Sequence, residues 1–451
     1  MFQPNERPAP SYHYHVEQKP AQGDRVENFL TAFAAILRHS NYRFLLDMYA
    51  HTSTKCARCA VACQVYQASG EPRDVPCYRS NLLLDVYRRH FTPTGWLAGS
   101  FLGKGTLTEK KIDEMAEQFY RCTACRRCKL ECPLGIDHAL LTRLGRYILS
   151  EIGIAPKGLV VSVREQLEGK SGNTSAIPLP ALLDNLEFLE EELEDAKGVP
   201  VRFPVDQEGA EYIFFPAVSD YLMEADTLLG NAAVLHAAGL SWTIGAAYFD
   251  GINYGLFFND WVLERILHKL VHETNRLRAR KILIGECGHA SRTARQFIPT
   301  FFPHESLPVY NILEVTHQAI EDGKIEFDPT VVTERVTYHD PCNLARSGWL
   351  VEQPRQILRS FVKDFVEMQP GGVNNYCCGG GGGLVSLDET HDFRMQVVGK
   401  TKAEQIKATG ADIVATPCAN CKKQLREIVD YYKLPVQIVG VHDLVLRAIK
   451  M

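Results

Sequence analysis

Residues 122–133 read Cys122-Thr-Ala-Cys125-Arg-Arg-Cys128-Lys-Leu-Glu-Cys132-Pro133, and the expected architecture follows from this motif. The first three thiolates are spaced to wrap one face of a four-iron cubane, and the fourth serves the other cluster of a pair. Zinc is the alternative, but zinc is usually held by two separated pairs and gains nothing from a trailing Cys-Pro. The spacing therefore predicts a domain built around two iron–sulfur clusters.

A second cysteine run supplies the partner cluster, but it is incomplete. Cys56-x2-Cys59-x3-Cys63 matches the last three positions of the pattern, and the missing first position falls on Ser53. Cys77 is the available replacement thiolate. We predict one cubane [4Fe-4S] cluster on Cys56, Cys59, Cys77 and Cys132, and a second on Cys63, Cys122, Cys125 and Cys128. The alternative leaves Cys77 as a buried free thiol, with Ser53 or water as the fourth ligand.

Basic residues surround these cysteines: Lys55, Arg58, Arg121, Arg126, Arg127 and Lys129. Their charge would offset anionic clusters and raise the reduction potentials, or provide a docking surface for an acidic partner. An ordinary solvated face explains them equally well.

Composition excludes several classes of protein. The 451 residues carry a net charge of −5, which argues against nucleic acid as a partner. Met1 to Gln22 is polar and proline-rich, without the apolar core of a signal peptide, and no run of eighteen apolar residues follows. We therefore expect a reducing cytoplasmic location, where clustered cysteines are ligands and not disulfides.

The chain divides into five stretches. We expect an N-terminal tail and helices over 1–50 (poorly ordered over 1–25), a helical ferredoxin-like domain over 51–155, a linker over 156–208, and α/β lobes over 209–330 and 331–451. Helical spacing of apolar residues predicts helices over Val26–Tyr49, Asn81–His90, Glu109–Phe119, Trp261–Arg278 and Thr401–Thr409.

The two lobes repeat one another. Tyr212 to Pro216 corresponds to Val336 to Pro341, and Tyr248-Phe-Asp-Gly251 corresponds to Tyr376-Cys-Cys-Gly379. Short β-branched runs alternate with amphipathic stretches in both. The expected fold class is thus α+β and α/β multidomain: a helical two-cluster domain followed by two pseudo-repeated lobes with parallel sheets.

A second metal module lies in the last lobe. It contains Cys342, the adjacent pair Cys377-Cys378, and Cys418-x2-Cys421, more thiolates than one zinc or one cubane requires. An adjacent pair can bridge an extended cluster. The glycines that follow, Gly379, Gly380 and Gly381 among them, let backbone amides donate to cluster sulfurs. A merely flexible loop is the alternative for these glycines.

This pattern resembles the cysteine-rich "CCG" domain of heterodisulfide reductase catalytic subunits. The resemblance covers about residues 30–451 and extends to His339-Asp-Pro-Cys342, Arg346 and Pro354-Arg355. The layout is similar to that of the HdrD-type subunit and of its DsrK-, HmcF- and TmcB-type relatives in anaerobic respiration. It implies that Cys342, Cys377, Cys378, Cys418 and Cys421 hold a non-cubane [4Fe-4S] cluster that cleaves a disulfide in two one-electron steps.

The first lobe departs from the family pattern. It has Ala217, Phe249, Asp250 and Ala290 where the second has cysteines, and it keeps only Cys287. We therefore expect a degenerate lobe over 209–330, a single non-cubane cluster in the lobe over 331–451, and three clusters in all.

Three further residues are candidates for the chemistry at that cluster. Cys287 would act as a thiol or acid–base group toward the incoming disulfide, and His339 or His289 would deliver a proton to the leaving thiolate. The alternative for Cys287 is a structural remnant that packs the lobe interface.

The resemblance implies a disulfide or thiol oxidoreductase subunit in a hetero-oligomeric complex. Its expected partners are a membrane quinone- or cytochrome-linked subunit and a disulfide-bearing small molecule or small protein, at the inner face of the membrane. The alternative is a non-catalytic conduit between a flavin dehydrogenase subunit and quinone, like the iron–sulfur subunits of glycolate oxidase and anaerobic glycerol-3-phosphate dehydrogenase. No flavin or nicotinamide fingerprint is present, so either function requires partners.

Overall fold

Amphipathic helices build the first part of the chain. The structure, a computed structural model, describes residues 23–38, 40–95 and 106–451, so the tail predicted over 1–25 lies almost entirely outside the described residues. The helices described here are α1 (Arg25–Arg38), α2 (Tyr42–Thr52), α3 (Gln64–Ser69), α4 (Pro76–Phe91), α5 (Glu109–Phe119), α6 (Arg127–Glu131), α7 (His138–Glu151) and α8 (Lys157–Glu168). They confirm the helices predicted over Val26–Tyr49, Asn81–His90 and Glu109–Phe119.

Large apolar side chains form the core between α1, α4, α5 and α7. Phe29 and Phe33 of α1 are fully buried, and Phe33 lies 4.8 Å, centroid to centroid, from Phe91 of α4. Gly145 of α7 leaves room for the Phe119 ring, which would lie 2.1 Å from a Cβ at that position. Asp137, five residues after the last cysteine of the motif, accepts a hydrogen bond from Leu140 N–H and so caps α7.

The chain forms two compact units. The first contains the described residues up to Val161 together with Tyr254–Val262 and Gly381–Val398. The second contains Ser162–Asn253, Leu263–Gly380 and Gly399–Met451. Tyr254–Val262 comes shortly after the sequence that ends in Gly251, and Gly381–Val398 comes shortly after the similar sequence that ends in Gly379.

Two four-stranded sheets form the second unit, and every strand pair in them is parallel. One has the order β2-β1-β3-β4 and the other β6-β5-β7-β8. The strands are β1 (Tyr212–Phe215), β2 (Trp242–Thr243), β3 (Lys281–Ile284), β4 (Val309–Asn311), β5 (Val336–Tyr338), β6 (Phe365–Glu367), β7 (Ile413–Ala415) and β8 (Gln437–Val439).

Helices follow the strands, as parallel sheets require. The remaining α-helices are α9 (Leu179–Lys197), α10 (Ala225–Ala237), α11 (Asp260–Arg276), α12 (Gly288–Phe301), α13 (Ile312–Glu321), α14 (Cys342–Gly348), α15 (Glu352–Arg359), α16 (Lys400–Thr409), α17 (Ala419–Tyr432) and α18 (Val441–Ala448). The helices predicted over Trp261–Arg278 and Thr401–Thr409 correspond to α11 and α16, and α8 and α9 occupy much of the predicted linker.

Strand ends position the cysteines of this unit. Cys287 follows β3 and occupies the N-cap position of α12, Cys418 follows β7 and occupies the N-cap position of α17, and Cys342 follows β5 and begins α14. Loops at the carboxyl ends of parallel strands are where such folds place functional groups. The mixed helical and α/β fold class with two parallel sheets is confirmed. None of the described helices is long and apolar enough to span a membrane.

Candidate metal centres

Two loops of the first unit share an uncommon backbone shape. Lys55 and Ala57, on either side of Cys56, have φ angles of 54° and 56°, and Ala124 and Arg126, on either side of Cys125, have 53° and 62°. Left-handed backbone costs a non-glycine residue roughly 1–2 kcal/mol. The same pair of costly residues flanks the cysteine at the second position of the pattern in both runs, which indicates that both loops fold around a similar group.

The first loop brings four thiols to one pocket. Cys56, Cys59, Cys77 and Cys132 line it together, with Ser53 and His138 also in its wall. These are the four cysteines predicted to hold the first cubane. Ser53 lies within the pocket's lining as well, so its position alone does not choose between the two candidate fourth ligands.

Hydrogen bonds from neighbouring groups converge on Cys77. It lies in the first turn of the sixteen-residue α4, where backbone N–H groups point outward. A hydrogen bond from Cys59, with further ones from the N–H groups of Ala57 and Tyr78, lowers the pKa of Cys77 to about 6. A thiolate at neutral pH is the form that ligates iron.

The second group of thiols surrounds Cys128. Burial, and then the neighbouring thiolates of Cys125, Cys122 and Cys63, raise the pKa of Cys128 well above its usual value. Four sulfurs this close together can all be deprotonated only when a bound group or the protein supplies positive charge. The donor set fits a cubane ligated by these four cysteines.

Arg79 supplies part of that charge. Its side chain is buried, and Nη2 donates to Cys63 Sγ at 3.6 Å, while Nη1 lies 3.7 Å from Asp74 Oδ1 and makes no hydrogen bond within the described residues. Arg121 holds Asp74 through two hydrogen bonds of 2.8 and 2.7 Å. Arg121 adjoins the cysteine motif and was noted in the sequence for that reason. No local signal marks Arg79, and the sequence did not predict its role.

In the second unit, five thiols form a continuous row. Hydrogen-bond contacts join Cys377 to Cys378, Cys378 to Cys421, Cys421 to Cys418, and Cys418 to Cys287. We call these five residues the sulfur row. Cys342 is also buried, 8% exposed. The structure thus brings together Cys377, Cys378, Cys418 and Cys421 as predicted, and adds Cys287 to their contacts.

His339 is a buried ring beside these cysteines. Its ring and the sulfurs of Cys378 and Cys421 all lie within 4.8 Å of one another, and all three residues are buried. Neither ring nitrogen makes a hydrogen bond within the described residues. A buried imidazole without hydrogen bonds is costly, so the arrangement fits a cluster at the sulfurs that accepts or donates to this ring.

Lys402 of α16 is a further charged group at the sulfur row. Its ammonium group is fully buried and bonds Gln405. Burial lowers the pKa of Lys402 to about 8, against the opposing influence of Cys378 and Cys377. Positive charge here offsets the charge of the thiolates. No local motif marks this lysine, and it was not predicted from the sequence.

The glycines after the paired cysteines contact two different groups. Gly379 N–H donates to Cys377 Sγ at 3.4 Å, and Gly380 N–H donates to Cys378. Gly381, in contrast, packs on the carbonyl of Thr123 within the first unit, where a Cβ would lie only 2.4 Å from the oxygen. Gly379 and Gly380 therefore donate to sulfur, while Gly381 permits close backbone packing.

Asp340 positions the loop that carries Cys342. Arg355 holds both its carboxylate oxygens at 2.8 Å, and Gly372 N–H donates to it at 2.8 Å. The paired guanidinium geometry fixes the carboxylate firmly. The Pro354-Arg355 pair noted in the sequence therefore contributes the arginine that holds this loop.

His289 is oriented toward Cys287. The backbone N–H of Asn253 donates to His289 Nε2 at 3.3 Å, and Nδ1 lies 3.4 Å from Cys287 Sγ. Burial lowers the pKa of His289 to about 4, so the ring is neutral near pH 7. Nδ1 also lies 3.2 Å from Asn420 Nδ2, so the Cys287 sulfur and the Asn420 amide both contact this ring nitrogen.

Four positions that the sequence predicts to match the cysteines carry other side chains: Ala217, Phe249, Asp250 and Ala290. Asp250 is buried and accepts hydrogen bonds from Thr174 N–H and Oγ1 and from Ile252 N–H, at 2.9, 2.8 and 2.7 Å. Phe249 packs edge-on against Tyr221 at 5.4 Å. Ala217 and Ala290 are buried without a sulfur.

The comparisons with known proteins agree with this geometry. Residues 52–136 match the 4Fe-4S dicluster domain family, and residues 336–426 match the cysteine-rich domain family (CCG). The chain is 30% identical to "Hdr-like menaquinol oxidoreductase iron-sulfur subunit 2" of Archaeoglobus fulgidus, over 94% of this chain and 83% of the relative. The chain belongs to the heterodisulfide-reductase-like iron–sulfur subunits.

Other relatives place this heterodisulfide-reductase-like protein in the same family. It is 30% identical to the Hdr-like menaquinol oxidoreductase iron–sulfur subunit of Archaeoglobus profundus, over 88% of this chain and 78% of the relative. It is 25% identical to the HdrD-type subunit of the dihydromethanophenazine:CoB–CoM heterodisulfide reductase of Methanosarcina mazei, over 88% of this chain and 93% of the relative. No solved structure matches the chain. The resemblance inferred from the motifs is confirmed.

Proposed function

We propose that this protein is the iron–sulfur redox subunit of a membrane-associated electron-transfer complex. Two cubane clusters, on Cys56, Cys59, Cys77, Cys132 and on Cys63, Cys122, Cys125, Cys128, would pass electrons to or from a non-cubane cluster on Cys342, Cys377, Cys378, Cys418 and Cys421. At that centre a disulfide is reduced or thiols are oxidised. The single observation that carries the proposal is the buried sulfur row beside His339, whose ring makes no hydrogen bond within the described residues.

The clusters supply one-electron chemistry, and cleavage of a disulfide needs two electrons, so a relay of several clusters suits the task. The protein's own residues supply charge and orientation. Lys402 balances the thiolates, and the N–H groups of Gly379 and Gly380 donate to sulfur. His339 lies beside Cys378 and Cys421, and because burial lowers the pKa of its ring well below the usual value, the neutral imidazole is the form that would donate or accept there.

Cys287 has a defined place in this proposal. Hydrogen bonds from Cys287 and Cys421 lower the pKa of Cys418 well below its usual value. Cys287 Sγ in turn lies 3.4 Å from Nδ1 of His289. We propose that Cys287 and His289 act on substrate sulfur through this proton-bearing pair, and that Cys287 is not an iron ligand.

The degenerate first half completes the proposal. Its sheet has the same strand order as the second, and Asp250 occupies the position of Cys378 within a closed set of hydrogen bonds. We propose that the halves are a repeat of which only the second holds a cluster. The complex would contain a quinone- or cytochrome-linked membrane subunit, at the cytoplasmic face, and the substrate would be a small disulfide or a small disulfide-bearing protein.

Freeze–quench EPR of the oxidised protein with a panel of thiols tests the function. A paramagnetic species that appears only with a particular thiol, and is lost in His339→Ala with its iron retained, would support thiol chemistry at the sulfur row. Indifference to every thiol, with rapid electron exchange through all clusters, would instead establish a non-catalytic conduit.

A further inference from the structure

The second unit contains a group of buried acidic side chains. Asp220 and Glu286 are fully buried, and Glu224 is 9% exposed. Asp443 of α18 belongs to the same group, and the hydroxyl of Thr227 donates to its carboxylate. We call Asp220, Glu224, Glu286 and Asp443 the carboxylate group. Carboxylates are almost never fully buried unless they are paired, so the partners of these four decide what the group can do.

Lys422 of α17 lies among these carboxylates and is itself fully buried. Its Nζ lies 3.1 Å from Glu224 Oε2 and donates to Thr227 Oγ1 at 2.7 Å. Burial disfavours the charged form, but the charges of all four carboxylates outweigh burial and raise the pKa of Lys422 above its usual value. Lys422 is therefore a fixed positive charge that the carboxylate group shares.

The group holds more negative than positive charge. Arg426 pairs with both carboxylate oxygens of Glu224, and Nδ1 of His442 lies 2.7 Å from Glu286 Oε1. Even if His442 is protonated, Lys422, Arg426 and His442 supply three positive charges against four carboxylates, which leaves one negative charge. A buried charge without a partner is costly, so the group favours one added proton or one bound cation.

Two oxygens show where this charge is unmet. Asp220 Oδ2 and Glu286 Oε2 are buried and make no hydrogen bond within the described residues. Gly440 leaves room for the second of these, since a Cβ there would lie 2.6 Å from both Glu286 Oε2 and Asp443 Oδ1. Burial, reinforced by the other three carboxylates and opposed by Lys422, raises the pKa of Asp220 to about 8. A group with this pKa exchanges its proton near neutral pH.

A metal ion fits the carboxylate group less well than a proton does. Hard cations take several oxygen ligands at once. Among the residues that the structure describes, no three acidic or histidine side chains of this group bring their ligand atoms within 4.8 Å of one another. A proton needs only one oxygen, and Asp220 Oδ2 is a buried oxygen of that kind.

The carboxylate group adjoins the sulfur row. Glu286 directly precedes Cys287, and its carbonyl accepts a hydrogen bond at 3.1 Å from the N–H of Ala419, the residue after Cys418. A hydrogen bond to Cys418 and burial raise the pKa of Cys287 well above its usual value, and the charge of Asp220 adds to this effect. Electrostatic influence is mutual, so a charge that arrives at the sulfur row acts on Asp220 in turn.

We propose that Asp220 takes up a proton from solvent when the four-iron centre of the sulfur row gains an electron, and this proposal rests on the proposed function. The added negative charge raises the pKa of Asp220, so a carboxylate that is ionised beside the oxidised centre is protonated beside the reduced one. The electron comes through the cubane relay, the proton comes from solvent, and the only bond formed is the O–H bond of the Asp220 carboxyl group. The group thereby stores one of the two protons that reduction of a disulfide to two thiols consumes.

The test uses the full, cluster-loaded chain and measures the midpoint potential of this centre by redox titration with EPR detection between pH 6 and pH 9. Over part of this range we expect the potential to fall by about 59 mV for each tenfold drop in proton concentration, the value for one proton per electron. In Asp220→Asn the potential should change little with pH. In Glu286→Gln the sloping range should move to lower pH, because a negative charge that raises the pKa of Asp220 is removed.

Asp250→Asn is the matched control. Asp250 is a buried carboxylate of the same half, but its oxygens accept hydrogen bonds from Thr174 and Ile252, so this variant should keep the wild-type slope. Infrared difference spectra between the reduced and oxidised protein give an independent readout. A carboxylic-acid C=O band should appear on reduction of the wild type and of Asp250→Asn, and should be absent from Asp220→Asn.

An Asp220→Asn variant with the wild-type slope and infrared band would overturn the proposal, as would a wild-type potential that does not vary with pH. A stoichiometric metal other than iron that is lost in Asp220→Asn would also overturn it, because the group would then bind a cation. Iron content is measured on each variant, and if Asp220→Asn loses its iron, the shift in Glu286→Gln decides. Wild-type protein without the four-iron centre would refute the proposed function, whereas an intact centre with a pH-independent potential refutes only the proton site.

Discussion

The two halves of the second unit have the same strand order but satisfy their central loops in opposite ways. In the first half, Asp250 is enclosed by Thr174 and Ile252, and both its carboxylate oxygens accept hydrogen bonds from them. In the second half, thiols lie in contact with one another, and the buried ring of His339 makes no hydrogen bond within the described residues. With the same strand order, the first half satisfies its buried loop by its own hydrogen bonds. The second half leaves a buried ring without one among the described residues, and a bound group would satisfy that ring.

The largest expected effect is a loss of iron that occurs in a variant of the second half and not in the matched variant of the first. Cys378→Ala should lower bound iron from about twelve to about eight per chain, because the four-iron centre of the second half loses a ligand. Asp250→Ala, the matched variant, should keep about twelve irons and lower the free energy of unfolding by about 1–3 kcal/mol, since its hydrogen-bond donors are left unpaired. Iron assay and chemical denaturation measure both. Equal iron loss in the two variants would mean that both halves hold metal.

In the first unit, a ligand variant and a matched control can be compared in the same way, with a smaller expected difference. Cys77→Ala should remove one cubane, about four irons, because Cys77 is the thiolate at the start of α4. Ser53→Ala is the control and should retain all the iron. Iron lost from Ser53→Ala, with Cys77→Ala intact, would show that Ser53 completes the first cluster.

Buried carboxyl groups of the first half predict a pH dependence. Burial raises the pKa of Asp220 to about 8, whereas in the unfolded chain it lies near 4. The folded state therefore holds an extra proton between these values, and stability should fall by about 1 kcal/mol per pH unit as pH rises toward 8. Thermal unfolding at pH 6.5 and 8.0 measures this. Asp220→Asn should lose most of the difference, and a variant as pH-dependent as the wild type would contradict the assignment.

The smallest effect concerns the cysteine that the first half keeps. Cys287→Ala should retain all its iron, because Cys287 donates to Cys418 and is not a ligand in our proposal. The lost hydrogen bond, about 1 kcal/mol, should shift the midpoint potential of the adjacent centre by tens of millivolts. Redox titration followed by EPR measures the shift. Loss of four irons would instead make Cys287 a sixth ligand.

Cysteine spacing alone predicted much of the first unit. The spacing of the two runs, with Cys77 taken as the replacement thiolate, predicted the set Cys56, Cys59, Cys77 and Cys132, and these four residues line one pocket. Short β-branched runs predicted the parallel strands of the second unit in the same way. Helix periodicity likewise predicted α5 at its observed bounds.

Other parts depend on packing between distant segments. Arg79 donates to Cys63 from a different helix, and Lys402 is influenced by the charges of Cys377 and Cys378 from another segment, and no local pattern distinguishes either residue from surface cations. Nor could spacing predict that Tyr254–Val262 and Gly381–Val398 join the first unit. Gly381 illustrates the limit, because its need for glycine comes from the Thr123 carbonyl and not from a neighbouring cysteine.

Iron and acid-labile sulfide counts, combined with Mössbauer spectroscopy of the anaerobically purified protein, are the decisive test of the unequal halves. We expect about twelve irons per chain, in two cubane clusters and one four-iron cluster with a distinct spectrum. About sixteen irons would show that the first half also holds a cluster. About eight, all in cubanes, would show that the sulfur row holds none, and either result would contradict the proposed difference between the halves.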